Sequence, residues 1–235
     1  MCNARHEGRL RRRIAQRYQT VTETVRVGTL EFPFTRVADP DKVLDEVAAE
    51  ETRLEKISGV RPTEDQLHLP YWAELWDSAM GIAQWLVRRS DPPGSVLDLG
   101  CGMGLAGTAA AAMGHRVTFA DLEAPALLFA RLNSLLWADR VRTRRLDWQT
   151  DRLGRETFDL ILGADILYEK KQWPFLEPFW RAHLSPGGRV LLGEPGRQTG
   201  DLFLEWIAPH GWRLTRHAEK VQTRPNPIRL FELRA

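Results

Sequence analysis

The stretch Ser95–Gly107, SVLDLGCGMGLAG, constrains this chain more than any other. A short apolar run, Val96, Leu97 and Leu99 around Asp98, opens into Gly100, Gly102 and Gly104. An alanine-rich run without charge follows, as far as His115-Arg116. That order predicts a strand, a glycine turn and a helix. Glycine at these positions removes the Cβ that would hold a nucleoside-sized ligand off the main chain, and it tolerates the positive φ values such turns use. The turn also presents free N–H groups at a helix N-terminus, where they favour a carboxylate or a phosphate.

Two cofactor classes use such a turn. Gly102-Met103-Gly104-Leu105-Ala106-Gly107 satisfies the G-x-G-x-x-G dinucleotide fingerprint, whereas Asp98-x-Gly100-x-Gly102-x-Gly104 fits enzymes of S-adenosylmethionine (SAM) better. The glycines alone do not decide between them.

Around this stretch the chain alternates. Val21, Val25 and Val27, the turn Gly28-Thr29, then Leu30, Phe32 and Phe34 predict a β-hairpin whose second strand lies at an edge, because of Pro33. Asp39-Pro40-Asp41 caps a helix to about Lys56, and Gly59 with Pro62 ends it. Trp72, Leu75, Trp76, Ala79, Ala83 and Leu86 share one helical face, so a helix over this segment is expected before the first central strand. Downstream of the glycine turn, strands are expected at 116–120, 141–146, 158–163, 189–193, 212–217 and 228–233. Helices are expected at about 125–137, 173–184 and 201–208. This spacing specifies an α/β fold, a doubly wound Rossmann-like sheet of seven mostly parallel strands with helices on both faces. Residues 1–68 form an N-terminal extension of basic arm, hairpin and acidic helix, and 69–235 the nucleotide-binding domain.

At 235 residues the chain can bury a full core, and its net charge of +2 implies no nucleic-acid partner. The charge is uneven. Arg5, Arg9, Arg11, Arg12, Arg13 and Arg17 crowd the start, and Asp39, Asp41, Asp45, Glu46, Glu50, Glu51 and Glu55 follow; both sets read as solvated surface first. The two cysteines, Cys2 and Cys101, make no disulfide framework, and the six histidines show no ligand spacing, so no metal is expected. Without a membrane-length apolar run or a secretory signal, the expected compartment is the cytoplasm.

In an open parallel sheet, ligands bind beyond the carboxyl ends of the strands. The residues at or near those ends are Asp98 with Gly100, Asp121, Asp147-Trp148, Asp165 and Glu194. A single acid there is as readily a helix cap, but five in succession mark one edge as the site. A carboxylate after the second strand accepts from both ribose hydroxyls of NAD or SAM. A carboxylate and an indole after the third strand suit an adenine.

The set VLDLGCGMG, VTFADLE, RLDWQT and ILGADILYE resembles class I SAM-dependent methyltransferases, in the order that fold uses them. More narrowly, PYWAELWDSAMGIAQWL, the tetrad Asp165-Ile166-Leu167-Tyr168 and LLGEPGR resemble the seven-β-strand protein-lysine methyltransferases, and among them the type acting on the electron transfer flavoprotein β-subunit. The likeness covers about residues 69–200. It implies SAM as cofactor and S-adenosylhomocysteine as product. It also implies that Asp98, Gly100, Gly102 and Gly104 surround the methionine part and ribose. Asp121 with Leu122 would hold the ribose hydroxyls, Asp147 with Trp148 the adenine, and Trp76 would close over the methionine end. Asp165 and Tyr168 match the family's D-x-x-Y, which faces the methyl acceptor. Glu194 stands where the family more often has Asp, one methylene shorter.

The expected reaction is methyl transfer to an acceptor nitrogen, with a lysine of a protein partner preferred. Such a displacement depends mainly on holding the nitrogen about 3 to 3.5 Å from the methyl carbon. Asp165 and Glu194 would orient the acceptor and stabilise developing charge; a lone carboxylate raises a lysine pKa, so proton acceptance comes second. Rival readings are a metabolite N-methyltransferase, an RNA methyltransferase using the basic arm, a NAD-dependent oxidoreductase and a non-catalytic binding module. No Asn-Pro-Pro-Tyr-like tetrad supports the RNA reading, and no Tyr-x-x-x-Lys pair supports hydride transfer. Nothing in the chain fixes its oligomeric state.

Overall fold

A computed structural model describes residues 2–58 and 69–235. The N-terminal elements are helix α1 (Cys2–Ala15), the antiparallel hairpin β1 (Thr20–Val27) and β2 (Leu30–Val37), and helix α2 (Pro40–Ser58). Helix α3 (Asp77–Arg89) precedes β3 (Ser95–Leu99), α4 (Leu105–Ala112), β4 (Arg116–Asp121), α5 (Ala124–Asn133), β5 (Val141–Arg145) and β6 (Phe158–Ala164). Helix α6 (Trp173–His183), β7 (Leu184–Glu194), α7 (Gln198–Ile207), β8 (Arg213–Glu219) and β9 (Ile228–Arg234) complete the chain. Strands β3 to β9 form one seven-stranded sheet in the order β5-β4-β3-β6-β7-β9-β8, in which β9 runs opposite to the other six. No helix among the described residues is long and apolar enough to cross a membrane.

Helices α3, α4 and α5 bury Ile82, Trp85, Ala106, Ala110, Leu127 and Ala130 against one face of the sheet. On the opposite face, α6 and α7 bury Leu176, Trp180, Phe203 and Ile207. In α6, Trp173, Leu176 and Trp180 point to the core, with Leu184, just beyond the helix, packed at its margin.

One helix begins later than its periodicity implies. Residues Tyr71–Ala73 make a single 3₁₀ turn, the chain then extends, and α3 starts only at Asp77. The extended backbone at Trp76 (φ −72°, ψ 132°) turns its indole away from the helix axis, and its Nε1–H donates to the Tyr71 carbonyl at 2.9 Å. Trp72 belongs to a different contact set, edge-on to Tyr18 at 5.2 Å and tilted against Phe129 at 5.7 Å. Helix α5 likewise stops at Asn133 rather than near Trp137, with a 3₁₀ turn over Leu135–Trp137. The arginine-rich start is a helix that buries Leu10 and Ile14. Asp39 caps α2, its Oδ1 accepting from the Lys42 N–H at 3.1 Å. Gly59 and Pro62, read as ending that helix, and the domain boundary at residue 68 lie outside the described residues.

Two polar contacts tie these parts together. Buried Asn133 pairs with the backbone of Thr35 as a neighbouring strand would: Oδ1 accepts from the Thr35 N–H at 2.7 Å, and Nδ2 donates to the Thr35 carbonyl at 3.0 Å. The same Nδ2 donates to the Met103 carbonyl at 2.9 Å, so one side chain joins the hairpin, α5 and the glycine turn. Asp98, fully buried, accepts from the Gly107 N–H at 2.9 Å and so satisfies a free donor in the first turn of α4. Burial pushes the Asp98 carboxyl up to about 7, against the pull of that N–H.

Asn133→Ala should lower stability by roughly 2 to 4 kcal/mol, because it strands the Thr35 N–H and two buried carbonyls; the denaturation midpoint measures it. Asp98 binds its proton more tightly folded than unfolded, where its value is 3.8, so stability falls as pH rises from that value towards 7. Asp98→Asn keeps a carbonyl for the Gly107 N–H and removes this loss. Its melting temperature, relative to the native chain, should rise between pH 4 and pH 8, and an unchanged difference would refute the assignment.

Candidate active site

Beyond the carboxyl ends of β3, β4, β5 and β6 lies a cavity of about 690 Å³. Gly100, immediately after β3, forms part of its floor. A Cβ there would stand 2.9 Å from Ile166 Cγ2 and 3.4 Å from Trp148 Cζ3, so any side chain would fill the space between the indole and the sheet. Gly102 and the end of β4 form the next part of the lining. Asp121 Oδ2 accepts from the Gly102 N–H at 2.8 Å, and Oδ1 from the Glu123 N–H at 2.9 Å. Each oxygen keeps a further lone pair. Burial pushes the Asp121 carboxyl up to about 6, with the backbone donors of Glu123 and Gly102 opposing, so it is mainly ionised at pH 7. Leu122 also lines the cavity.

Asp147 and Trp148 follow β5 in a tight turn. Asp147 Oδ1 accepts from the Gln149 N–H at 2.9 Å, and its own N–H donates to Asp151 Oδ2 at 2.9 Å. Trp148 Nε1–H donates to Gln172 Oε1 at 3.0 Å, and Gln172 Nε2 donates to Glu169 Oε2 at 3.1 Å, which fixes the indole as a wall.

A second group of side chains lines the cavity from three separate loops. Asp165 follows β6 in a left-handed conformation (φ 58°), a strained state that aspartate tolerates better than most residues. Its N–H continues the sheet by donating to the Gly193 carbonyl at 2.9 Å. Its carboxylate meets the guanidinium of Arg197. Burial raises the Asp165 carboxyl, and Arg197 opposes that rise. Arg197 also lies over the Trp76 ring, 5.4 Å from its centroid. Tyr71 and Tyr168 meet edge to face at 5.4 Å and 72°, and both are partly exposed at the mouth, as is Phe175. Burial, with Glu169 nearby, pushes the Tyr168 phenol up to about 12, so it stays protonated.

The cavity thus gathers Trp76, Gly100, Gly102, Asp121, Leu122, Asp147, Trp148, Asp165 and Tyr168. Three expected site residues stand elsewhere. Asp98 faces the first turn of α4, and Gly104 packs against Ala130 and Phe119. Glu194 is buried behind the site, where Arg229 Nε donates to it at 2.6 Å and the N–H groups of Gly196 and Arg197 donate as well. Its carboxylate is already occupied by those donors. Conversely, Tyr71, Gln172 and Arg197 carry no strand-end signal; only the PYW and EPGR stretches containing Tyr71 and Arg197 could have drawn attention to them.

Comparison with known proteins gives a consistent result. Protein N-lysine methyltransferase METTL21A of Xenopus tropicalis is 35% identical over 140 residues, 55% of this chain and 62% of that protein. The electron transfer flavoprotein beta subunit lysine methyltransferase of Xenopus laevis is 36% identical over 135 residues, 54% of this chain and 53% of that protein. The chain thus spans between half and two thirds of the length of these curated relatives. In fold it is similar to the glycopeptide N-methyltransferase MtfA solved with (S)-adenosyl-L-homocysteine, with TM-score 0.58 and 16% identity over 68% of this chain and 90% of that one. The lysine methyltransferase family model matches residues 63–207, more than half of the chain, and the chain belongs to that family.

Proposed function

We propose that this chain transfers a methyl group from SAM to the amine of a lysine side chain in a protein. One observation carries the reading: a single cavity brings the strand-end acids Asp121 and Asp147 together with a separate group formed by Asp165, Tyr71, Tyr168 and Arg197. Cofactor and acceptor need two such groups meeting in one space.

The lining fits SAM. The volume lies within the usual range for small-ligand sites, and the space above Gly100 would be lost to any Cβ. Asp121 would accept from the ribose hydroxyls through its remaining lone pairs, beside Leu122. Asp147 and the Trp148 indole would hold the adenine, while Gly100, Gly102 and Trp76 would bound the methionine part. Asp98 and Gly104 act one layer back, by holding the turn. When bound, SAM supplies a methyl group on a positively charged sulfur, and transfer forms the N–C bond as the C–S bond breaks, the electron pair staying on sulfur.

The acceptor would enter between Tyr71 and Tyr168, whose rings suit the alkyl stem of a lysine. Asp165 would orient the amine by accepting from its N–H, and Glu194 would contribute by fixing the Arg197 loop rather than by touching the acceptor. A rim of exposed aromatics, Tyr71, Tyr168 and Phe175, favours a protein over a small metabolite, since it offers contact area outside the cavity. Residues 1–68 would be an extension of the methyltransferase domain that begins at residue 69, and a protein presenting a lysine is the partner.

Labelled SAM added with the protein to a cell lysate should place label in a discrete protein band; label confined to small molecules would overturn the protein acceptor. Asp121→Ala should weaken SAM binding roughly 100-fold in a direct titration, from the loss of two charge-assisted hydrogen bonds. Asp165→Asn should keep SAM affinity within about threefold while transfer falls about 100-fold or more.

A further inference from the structure

Asp165 is the acid on the acceptor side of the cavity, and in this structure its charge is already answered. Arg197 donates to Asp165 Oδ1; the carboxylate is only 6% exposed, against 37% for the arginine side chain. The loop that carries Arg197 is tied down at every step. Glu194 accepts from the N–H groups of Gly196 and Arg197, Arg229 donates to the Arg197 carbonyl at 2.9 Å, and Arg224 donates to the Pro195 carbonyl. The guanidinium is further placed by the face of Trp76. Four hydrogen bonds to the loop and one ring contact thus fix one cation against one buried carboxylate.

The other groups facing Asp165 are the Ser78 hydroxyl of α3, Glu194 at the end of β7 and Tyr168 in the loop after β6. None of these is a cation, and Glu194 is itself paired with Arg229. Among the described residues, Arg197 is the cation paired with this carboxylate.

A lysine amine has an ordinary pKa of about 10.4, so in water at pH 7 it is almost entirely ammonium and has no lone pair for attack. A bare buried carboxylate would make this worse, because it binds the ammonium and raises its pKa. A carboxylate already paired with a guanidinium exerts little net pull, and the guanidinium disfavours a second cation beside it.

We propose that Arg197 is a positioning residue that acts through Asp165: it neutralises the carboxylate so that the acceptor amine is seated in its uncharged, nucleophilic form. This rests on the lysine-acceptor reading. Asp165 then serves as a hydrogen-bond acceptor that aims the amine, not as an ion trap that holds it protonated.

The test compares the native protein with Arg197→Gln, Arg197→Lys and the double variant Asp165→Asn/Arg197→Gln. The first readout is calorimetric titration with n-butylammonium chloride at pH 7. Arg197→Gln should bind the probe about tenfold tighter, Arg197→Lys should stay near the native value, and the added Asp165→Asn should abolish the gain. Unchanged or weaker binding in Arg197→Gln overturns the proposal. The second readout is the rate of labelled methyl transfer into lysate protein from pH 7 to pH 10. Arg197→Gln should be about tenfold slower at pH 7 and converge on the native rate at the alkaline end. A rate equal to or above the native one at pH 7, or a uniform loss at every pH, overturns the role of Arg197. Absence of labelled protein with the native enzyme overturns instead the lysine reading beneath it.

Discussion

The close passage of the turn between β3 and α4 against β4 and α5 is the constraint on which the rest of this structure depends. At Gly107 a Cβ would lie 2.4 Å from Phe119 Cε1 and 2.7 Å from Asp98 Oδ2, and at Gly104 it would lie 2.8 Å from Ala130 Cβ. Gly104 also has a φ of 84°, so it is required by conformation as well as by space. Because the helix can seat this close, the Gly107 N–H reaches back to Asp98 inside the sheet, and the Gly102 N–H reaches Asp121 on the next strand. Those two bonds set the level of the cavity floor. A bulkier turn would lift the main chain away from both acids at once.

The strand-end acids then diverge according to which donors reach them. Asp98 meets a helix N–H and becomes structural, and Asp121 meets two loop N–H groups that leave its outer lone pairs facing the cavity. Glu194, one methylene longer than aspartate, reaches Arg229 and the loop after β7. Asp165 meets the partly exposed Arg197 and stays at the cavity wall. Burial raises Asp98, Asp121 and Asp165 alike, so their different uses come from the donors around them and not from desolvation.

This divergence explains what was legible in the sequence. That Asp121, Asp147 and Trp148 line one cavity could be read because they end successive strands of a parallel sheet, at the edge where such sheets form their clefts. Their neighbours Arg197 and Tyr71 could not, because an ion pair spanning 32 residues and an aromatic contact between two loops leave no periodic trace. Nor could the pairing of Asn133 with Thr35, which joins residues 98 apart. Trp72 and Trp76 satisfied helical spacing, yet both precede the helix and are held by contacts outside it: periodicity records a face only where the chain is helical. The five strands β3, β4, β6, β7 and β9 were visible because each carries a buried apolar run, whereas β5 and β8 at the sheet edges, with burial confined to few residues, were read from their spacing.

The N-terminal elements are physically part of this arrangement. Tyr18 packs on Trp72, whose carbonyl lies beside Gly102, and Asn133 bonds both Thr35 of the hairpin and Met103 of the glycine turn. The back of the cofactor-side turn is therefore buttressed by residues from outside the central sheet. The opposite wall of the cavity comes from the loops after β6 and β7 and the segment before α3, whose side chains meet through an ion pair and ring contacts. The floor is set by the bond between Gly102 and Asp121, whereas the far wall is closed by side chains that meet from separate segments. On the proposed reading, cofactor geometry belongs to the floor and acceptor preference to the wall formed by Asp165, Arg197, Tyr71 and Tyr168, so the two are set by different segments of the chain.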